Sequence, residues 1–305
     1  MTFRTVSRLC LALPLLLLAC LPLHGAALLY VSNFQTNTIE RIDELGNRSP
    51  FASGLNQPRG LAFDTAGLLY AANAIDNQIL TFAPDGTRSV FASDQLNGPR
   101  GLAFDDEGTL FVSNGTSNSV VSISPSGQTS VFASTNLSSP RALAFDDDGD
   151  LFVANSGNNT LLQLAPDGTA SVITSALFNR PYGVVFDTAG TLYVANFEGD
   201  NILRRNADGT FARFITTRLD GPYGMVFDET GALIVANLYT SIIQKFSPTG
   251  AYLGELSRAP GSGPTFIVQG PAVPEPAAAT CLLITGALLA GSQRAERRRR
   301  VVLAG

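Results

Sequence analysis

Apolar residues along this chain come in runs of four to six, bounded by Gly, Asp, Asn or Pro, and the runs recur in one order. Gly98–Asn114 reads GPRGLAFDDEGTLFVSN, and residues 180–196 read RPYGVVFDTAGTLYVAN. Pro58, Pro99, Pro140, Pro181 and Pro222 mark this repeat at a constant spacing of 41 residues. Helical arrays and sheet propellers share periods of that size, so the period does not fix the class. Run length does. Segments this short, rich in Val, Ile, Phe and Tyr, suit strands and not helices.

Each repeat holds four strands. After Pro-(Arg/Tyr)-Gly comes an apolar strand ending in Phe-Asp, then a run ending in Asn, a polar loop, a third run, a Pro-Asp-Gly-like turn and a last run such as Ser130–Ala133. Asp64-x-x-Gly67 and its copies at 105, 146, 187 and 228 predict type I turns closed by a left-handed Gly. Gly60, Gly101, Ala142, Gly183 and Gly224 stand two residues after the prolines, as an innermost strand near a crowded axis requires.

A four-stranded sheet with two apolar faces needs neighbours on both sides, and radial repetition supplies them. The ends set the number of blades. Leu28–Asn33 matches the second strand of a repeat, and Gly263–Val268 looks like an extra first strand. Joining them completes one blade and hides two sheet edges. Residues 28–270 number 243, close to six repeats of 41, which predicts an all-β, six-bladed propeller of four antiparallel strands per blade.

Composition narrows the chemistry. The chain of 305 residues carries a formal charge of −5, but residues 28–272 hold 12 Arg, one Lys (Lys245) and 23 acids, a net of −10. An acidic body repels phosphate backbones, so nucleic acid is not an expected partner. His24 and the three cysteines, Cys10, Cys20 and Cys281, lie outside the repeats, which hold no Trp either. Thiol nucleophiles, His bases and His/Cys zinc sites are thereby excluded from the repeat region.

The termini read as addresses. Residues 1–27 have the form of a secretory signal: Arg4 and Arg8, the apolar run Leu9–Leu23, and Gly25-Ala26-Ala27 before a cut at Leu28. A membrane anchor, or lipidation at Cys20 after Leu18-Ala19, are the alternatives. At the other end, a linker over 271–276 contains Val273-Pro274-Glu275-Pro276, and 277–305 holds an apolar stretch, Ala277–Gly291, followed by Arg294 and Arg297, Arg298, Arg299 and Arg300. This tail resembles the PEP-CTERM sorting signal of Gram-negative bacteria. The resemblance implies an exosortase-type partner, cleavage near Pro274-Glu275-Pro276 and delivery to the cell surface or extracellular matrix. The arginines would hold their end in the cytoplasm, and an apolar helix of roughly 22 Å suits transient membrane association better than a permanent span. A plain tail anchor is the alternative.

The repeat itself resembles NHL repeats and, more distantly, the gluconolactonase/senescence-marker and virginiamycin B lyase propellers. Gluconolactonase-type members hold a divalent metal through a Glu before the first-strand Gly-Pro; the corresponding places here are Asn97, Ser138, Arg180 and Asp220. The lyase-type members rely on His. The resemblance therefore implies the fold, while no catalytic residue and no metal ligand is assigned.

Candidate ligand contacts come from propeller geometry. Arg59, Arg100, Arg141, Tyr182 and Tyr223 are expected to ring one mouth of the channel, where guanidiniums and phenols would bind a carboxylate, phosphate or sugar or, alternatively, fill space and bond blade carbonyls. Asn33, Asn73, Asn114, Asn155, Asn196 and Asn237 form a sixfold series expected to cap loops within each blade. The loops after them differ, and Phe34, Phe197, Glu198, Asp200 and Tyr239 are the positions where specificity would reside. Asp146-Asp147-Asp148-Gly149-Asp150 has carboxylates suited to calcium, but overlays an ordinary hairpin turn.

Together these features lead us to expect an exported, non-catalytic binding module for exopolysaccharide or an envelope protein. A metal-dependent lactonase-like hydrolase using Ca²⁺ or another divalent ion, and a purely structural matrix protein, are the alternatives.

Overall fold

A computed structural model of the chain describes residues 27–272; the expected leader and the expected sorting tail, including Val273–Pro276 and Arg297–Arg300, lie outside the described residues. Twenty-four strands form six four-stranded antiparallel sheets, and among the described residues there is no helix. Blades 1 to 5 begin at Pro58, Pro99, Pro140, Pro181 and Pro222. Blade 2 is representative, with strands Pro99–Phe104, Leu110–Asn114, Ser119–Ile123 and Thr129–Ala133 numbered outward from the axis. The first strands of the six blades neighbour one another in a closed ring.

Blade 6 is made from both ends of the described chain. Pro264–Ala272 lies antiparallel to Ala27–Asn33, with Tyr30 opposite Val268 and Val31 opposite Ile267. The closing strand runs to Ala272, two residues beyond the expected boundary at 270, because Gly270-Pro271-Ala272 continues along Ala27–Leu29 after a register shift.

The core is six apolar layers, one between each pair of blades. Between blades 1 and 2, for example, Tyr70, Ala72 and Ile79 of one sheet meet Leu102, Leu110 and Val112 of the next. A repeated aromatic contact runs through these layers. Phe111 sits edge-on to Phe132 of its own blade at 4.9 Å and to Phe145 of the next at 5.2 Å. Tyr30, Tyr70 and Tyr193 make the same pair of contacts. Each such geometry adds about 0.5–1.5 kcal/mol beyond area burial.

The glycines after the prolines do what the spacing required. A Cβ on Gly60 would lie 2.2 Å from the carbonyl oxygen of Arg100, and one on Gly183 would lie 2.2 Å from that of Tyr223. At these glycines neighbouring first strands therefore approach too closely for a side chain, while blade 3 admits the methyl group of Ala142. In blade 6 the same position holds Phe266, whose ring packs against the layer between blades 3 and 4 as well as the layer beside its own blade. The axis is thus filled by an aromatic ring next to Tyr223, at 5.3 Å between centroids.

The turns close as expected. In the first hairpin of blade 1, Gly67 (φ 81°) donates its N–H to the Asp64 carbonyl at 3.0 Å, and the Asp64 carboxylate accepts from Ala66 and Leu68 at 3.0 and 2.8 Å. The Asp146 carboxylate accepts from Asp148 and Asp150 in the same way, so that acidic run is an ordinary turn.

Phe111→Ala removes both edge contacts and leaves a cavity, and should lower stability by about 3–5 kcal/mol in urea unfolding, whereas rim Val131→Ala should stay within about 0.5 kcal/mol. Acid should also weaken the fold. Hydrogen bonds from Thr87, Thr169 and Thr210 hold Asp85, Asp167 and Asp208 below their ordinary value of 3.8. A depressed folded-state value means this stabilisation is present above that value and is lost as pH falls through the lowered ones, so the thermal midpoint should drop on acidification below about pH 4.

Candidate functional site

The site is built where the first strands enter the ring. Each first-strand proline is preceded by a residue in the left-handed region: Gln57, Gly98, Ser139, Arg180, Gly221 and Gly263, with φ between 49° and 62°. Neighbouring blades hold these residues in place. The loop after each second strand carries a residue four places beyond the ladder Asn, itself left-handed, whose side chain accepts the backbone N–H of the pre-proline residue in the next blade. Asn77 accepts from Gly98 at 2.7 Å, Asn118 from Ser139 at 2.7 Å, Asn159 from Arg180 at 2.6 Å and Asp200 from Gly221 at 2.8 Å. Asn37 and Ser241 complete the circle. Asp200, expected among the specificity residues, is therefore one of six interblade latches, with its oxygen directed at the scaffold.

The ladder asparagines act inside each blade, as expected. Asn114 accepts the Asn97 N–H at 3.0 Å and donates to the Gln95 carbonyl at 2.8 Å. Asn155 and Asn196 repeat both bonds. Asn33 is the exception: its Oδ1 is buried without a partner, because the N–H of Ser262, which would reach it, bonds the Ala259 carbonyl instead.

Within this frame the predicted mouth residues come together, in two tiers. Arg141, Tyr182 and Tyr223 are buried. Arg141 donates to the Tyr223 hydroxyl at 3.2 Å, the Tyr182 hydroxyl at 3.1 Å and Ser156 Oγ at 3.2 Å. Arg59 donates to the same Tyr223 oxygen at 3.2 Å and lies over the Phe34 ring at 4.6 Å. Arg100 donates to Ser139 Oγ at 3.0 Å. Arg59 and Arg100 are half-buried and form the open side. Their hydrogen bonds go to side chains of the mouth; the expected alternative, bonds to blade carbonyls, is not observed among the described residues.

The residue after each ladder Asn shapes the seat of the ring residue beside it. Phe197 stacks on Tyr182 at 4.1 Å and 12°, Ser156 bonds Arg141, and Gly115 makes room for Arg100. A Cβ on Gly115 would fall 2.0 Å from Arg100 Nε. Tyr239 leans on Phe197 at 5.1 Å and is 64% exposed, giving an aromatic face at the rim. Glu198 is paired with Arg180, whose guanidinium also donates to Tyr182 at 2.9 Å. Arg180 and Phe266 were not among the predicted contacts. Arg180 lies on the strained residue before a proline and Phe266 at a position that is otherwise small, so each is a departure from the repeat.

Electrostatically, the mouth gathers like charges. Among the described residues no ion pair reaches Arg59, Arg100 or Arg141. Burial, with Arg141 and Arg59 nearby, pushes Arg100 down to about 10. Tyr223 shows the complementary effect: burial alone would raise its phenol, but Arg141, Arg59 and Arg100 outweigh that and lower it. Tyr182 is raised, burial outweighing Arg141. Among the described residues no three His, Cys, Asp or Glu side chains come together as a metal site would need.

No protein-family model and no curated protein matches this chain. Solved structures do. A chain of a nidogen/laminin complex superposes with a TM-score of 0.73 at 18% identity, over 82% of this chain and 99% of that one. Virginiamycin B lyase from Staphylococcus aureus gives 0.63 at 16% identity, over 80% and 88%. A gluconolactonase-type protein gives 0.61 at 18%, over 73% and 88%. The chain shares their propeller fold. At these identities the likeness carries architecture and not activity, and the three neighbours themselves include enzyme and non-enzyme names.

In a near-ultraviolet absorbance titration Tyr223 should ionise below the ordinary phenol value of 10. Tyr223→Phe should remove that component, and a titration unchanged by the substitution would count against it.

Proposed function

We propose that this protein is an exported, non-catalytic binding module whose propeller mouth takes the carboxylates of a surface polysaccharide. The observation that carries the reading is the group Arg59, Arg100 and Arg141, gathered without a carboxylate partner among the described residues in a body of net charge −10. Desolvating like charges against one another is unfavourable, and a bound anion relieves it. A carboxylate matches the planar guanidinium fork, and the exposed Tyr239 ring offers a flat apolar face for a sugar. Residues 28–272 contain no His or Cys to move a proton or attack a bond, and of the carboxylates beside the aromatic shelf Glu198 is paired with Arg180 and Asp200 accepts the Gly221 N–H.

Export and sorting belong to the same proposal. The leader over 1–27 would direct the chain out of a Gram-negative cytoplasm. The Val273–Pro276 motif and Arg297–Arg300 would then hand it to an exosortase-type system.

Calorimetric titration with oligogalacturonate should give binding that weakens as salt rises. The triple variant Arg59→Ala/Arg100→Ala/Arg141→Ala should lose it, with circular dichroism confirming the fold. Binding unchanged in that variant would retire the mouth as the site. Micromolar calcium affinity together with lactone hydrolysis would favour the hydrolase alternative.

A further inference from the structure

The first strands turn their inner edges to the crowded axis, but the outer strand of each blade keeps one unpaired edge on the rim. Such edges invite another strand unless a charge, a proline or a bulge interrupts them. The six outer strands can be compared directly, since they occupy equivalent places in one molecule.

Five of them are interrupted. In blades 6, 1, 2 and 4 the register skips one outer-strand residue, and each time it is a phenylalanine: Phe51, Phe91, Phe132 and Phe214. These bulge residues make the edge contacts with Tyr30, Tyr70, Phe111 and Tyr193 described above. The outer strands of blades 6, 1 and 4 add Arg48 with Pro50, Arg88, and Arg213, while the Thr129 carbonyl of blade 2 is covered by Gln95 at 3.2 Å. The outer strand of blade 5, Tyr252–Arg258, has two register shifts, Gly254, Glu255 and Arg258.

Blade 3 has none of these devices. Its outer strand, Ala170–Thr174, reads ASVIT, without charge or proline. It pairs with Thr160–Leu164 at five consecutive positions with no shift. Ile173 stands where the bulged blades have Phe, and it pairs directly with Leu161. The β-branched side chain keeps the strand regular where the aromatic ring would turn in and break it. Val172 at its centre is 48% exposed.

We infer that Ala170–Thr174 is an interaction edge that binds the same strand of a second copy of this chain, antiparallel and across a two-fold axis at Val172. The strand is complementary to itself. In that register Ala170 faces Thr174, Ser171 faces Ile173 and Val172 faces its own symmetry mate, so no like charges meet although each body carries −10. Backbone groups on the free edge alternate outward and pair reciprocally, as an isologous contact requires. The two blades then form one eight-stranded sheet. The propeller mouth is not involved, so this pairing stands apart from the proposed ligand site.

The full chain in detergent, with Cys10, Cys20 and Cys281 changed to Ser, provides the test. Directly opposed residues of an antiparallel pair bring Cα atoms to about 4.5–5.5 Å, within disulfide reach. On mild oxidation Val172→Cys should form a covalent dimer, while Val131→Cys, comparably exposed on the bulged rim of blade 2, should remain monomeric. In sedimentation velocity, Val172→Lys should raise the dimer dissociation constant about tenfold or more, and Val131→Lys should not. Equal cross-linking at both positions, no cross-linking at 172, or dimerisation unaffected by Val172→Lys would each overturn the proposal.

Discussion

The pairing of Pro264–Ala272 with Ala27–Asn33 is the contact on which the rest of this molecule depends. A ring of sheets has no stable open form of the same size, because each terminal sheet would expose an apolar face and an unpaired inner strand. Hydrogen bonds between residues more than 230 apart close the circle and bring Thr265 and Phe266 to the axis. Thr265 takes the place that Arg or Tyr occupies in the other five blades, and Phe266 takes the place of a small residue. The closing blade thus also decides what fills the centre.

Two sets of polar side chains make the ring rigid at its entrance. The ladder asparagines tie each loop to its own blade, and the latch residues Asn37, Asn77, Asn118, Asn159, Asp200 and Ser241 tie each blade to the next. Both sets satisfy backbone N–H groups that strand pairing leaves free, and the latches are mostly Asn because Asn tolerates the left-handed conformation. The latches hold a left-handed residue before every first-strand proline. That conformation fixes where each first strand enters, and with it where Arg59, Arg100, Arg141, Tyr182 and Tyr223 point.

The mouth illustrates how a local charge can oppose the field of the whole. Acidic residues dominate the turns, where Asp is favoured for its hydrogen bonds to backbone N–H groups. The arginines collect at the axis, where successive blades place one residue each. Lying between them, the Tyr223 oxygen accepts from two guanidiniums and shares the work of holding like charges together. The same repetition that stabilises the disc by aromatic contacts brings these charges close, and the blades in which Tyr or Thr stands in place of Arg interrupt the accumulation.

Much of this was legible in the sequence. The 41-residue spacing, the run lengths and the half-repeats at the two ends led to six blades, and the Pro-x-Gly positions led to the innermost strand, because these depend on short-range periodicity and on steric rules that any copy must obey. The mouth was legible for the same reason: one side chain per repeat, in register with the proline, must converge on the axis. What the sequence could not specify are contacts between repeats that break the pattern. Asp200 reads as a free acid in a variable loop, and only the packed ring reveals it bonded to Gly221. Phe266 reads as one more strand residue until closure sets it across the axis. Ile173 reads as a conservative exchange for Phe, yet pairing decides that it removes a bulge and leaves an edge flat. Sequence alone determined the repeating unit because its forces are local; tertiary structure decided the exceptions because their partners lie in other blades, at separations that periodicity does not encode.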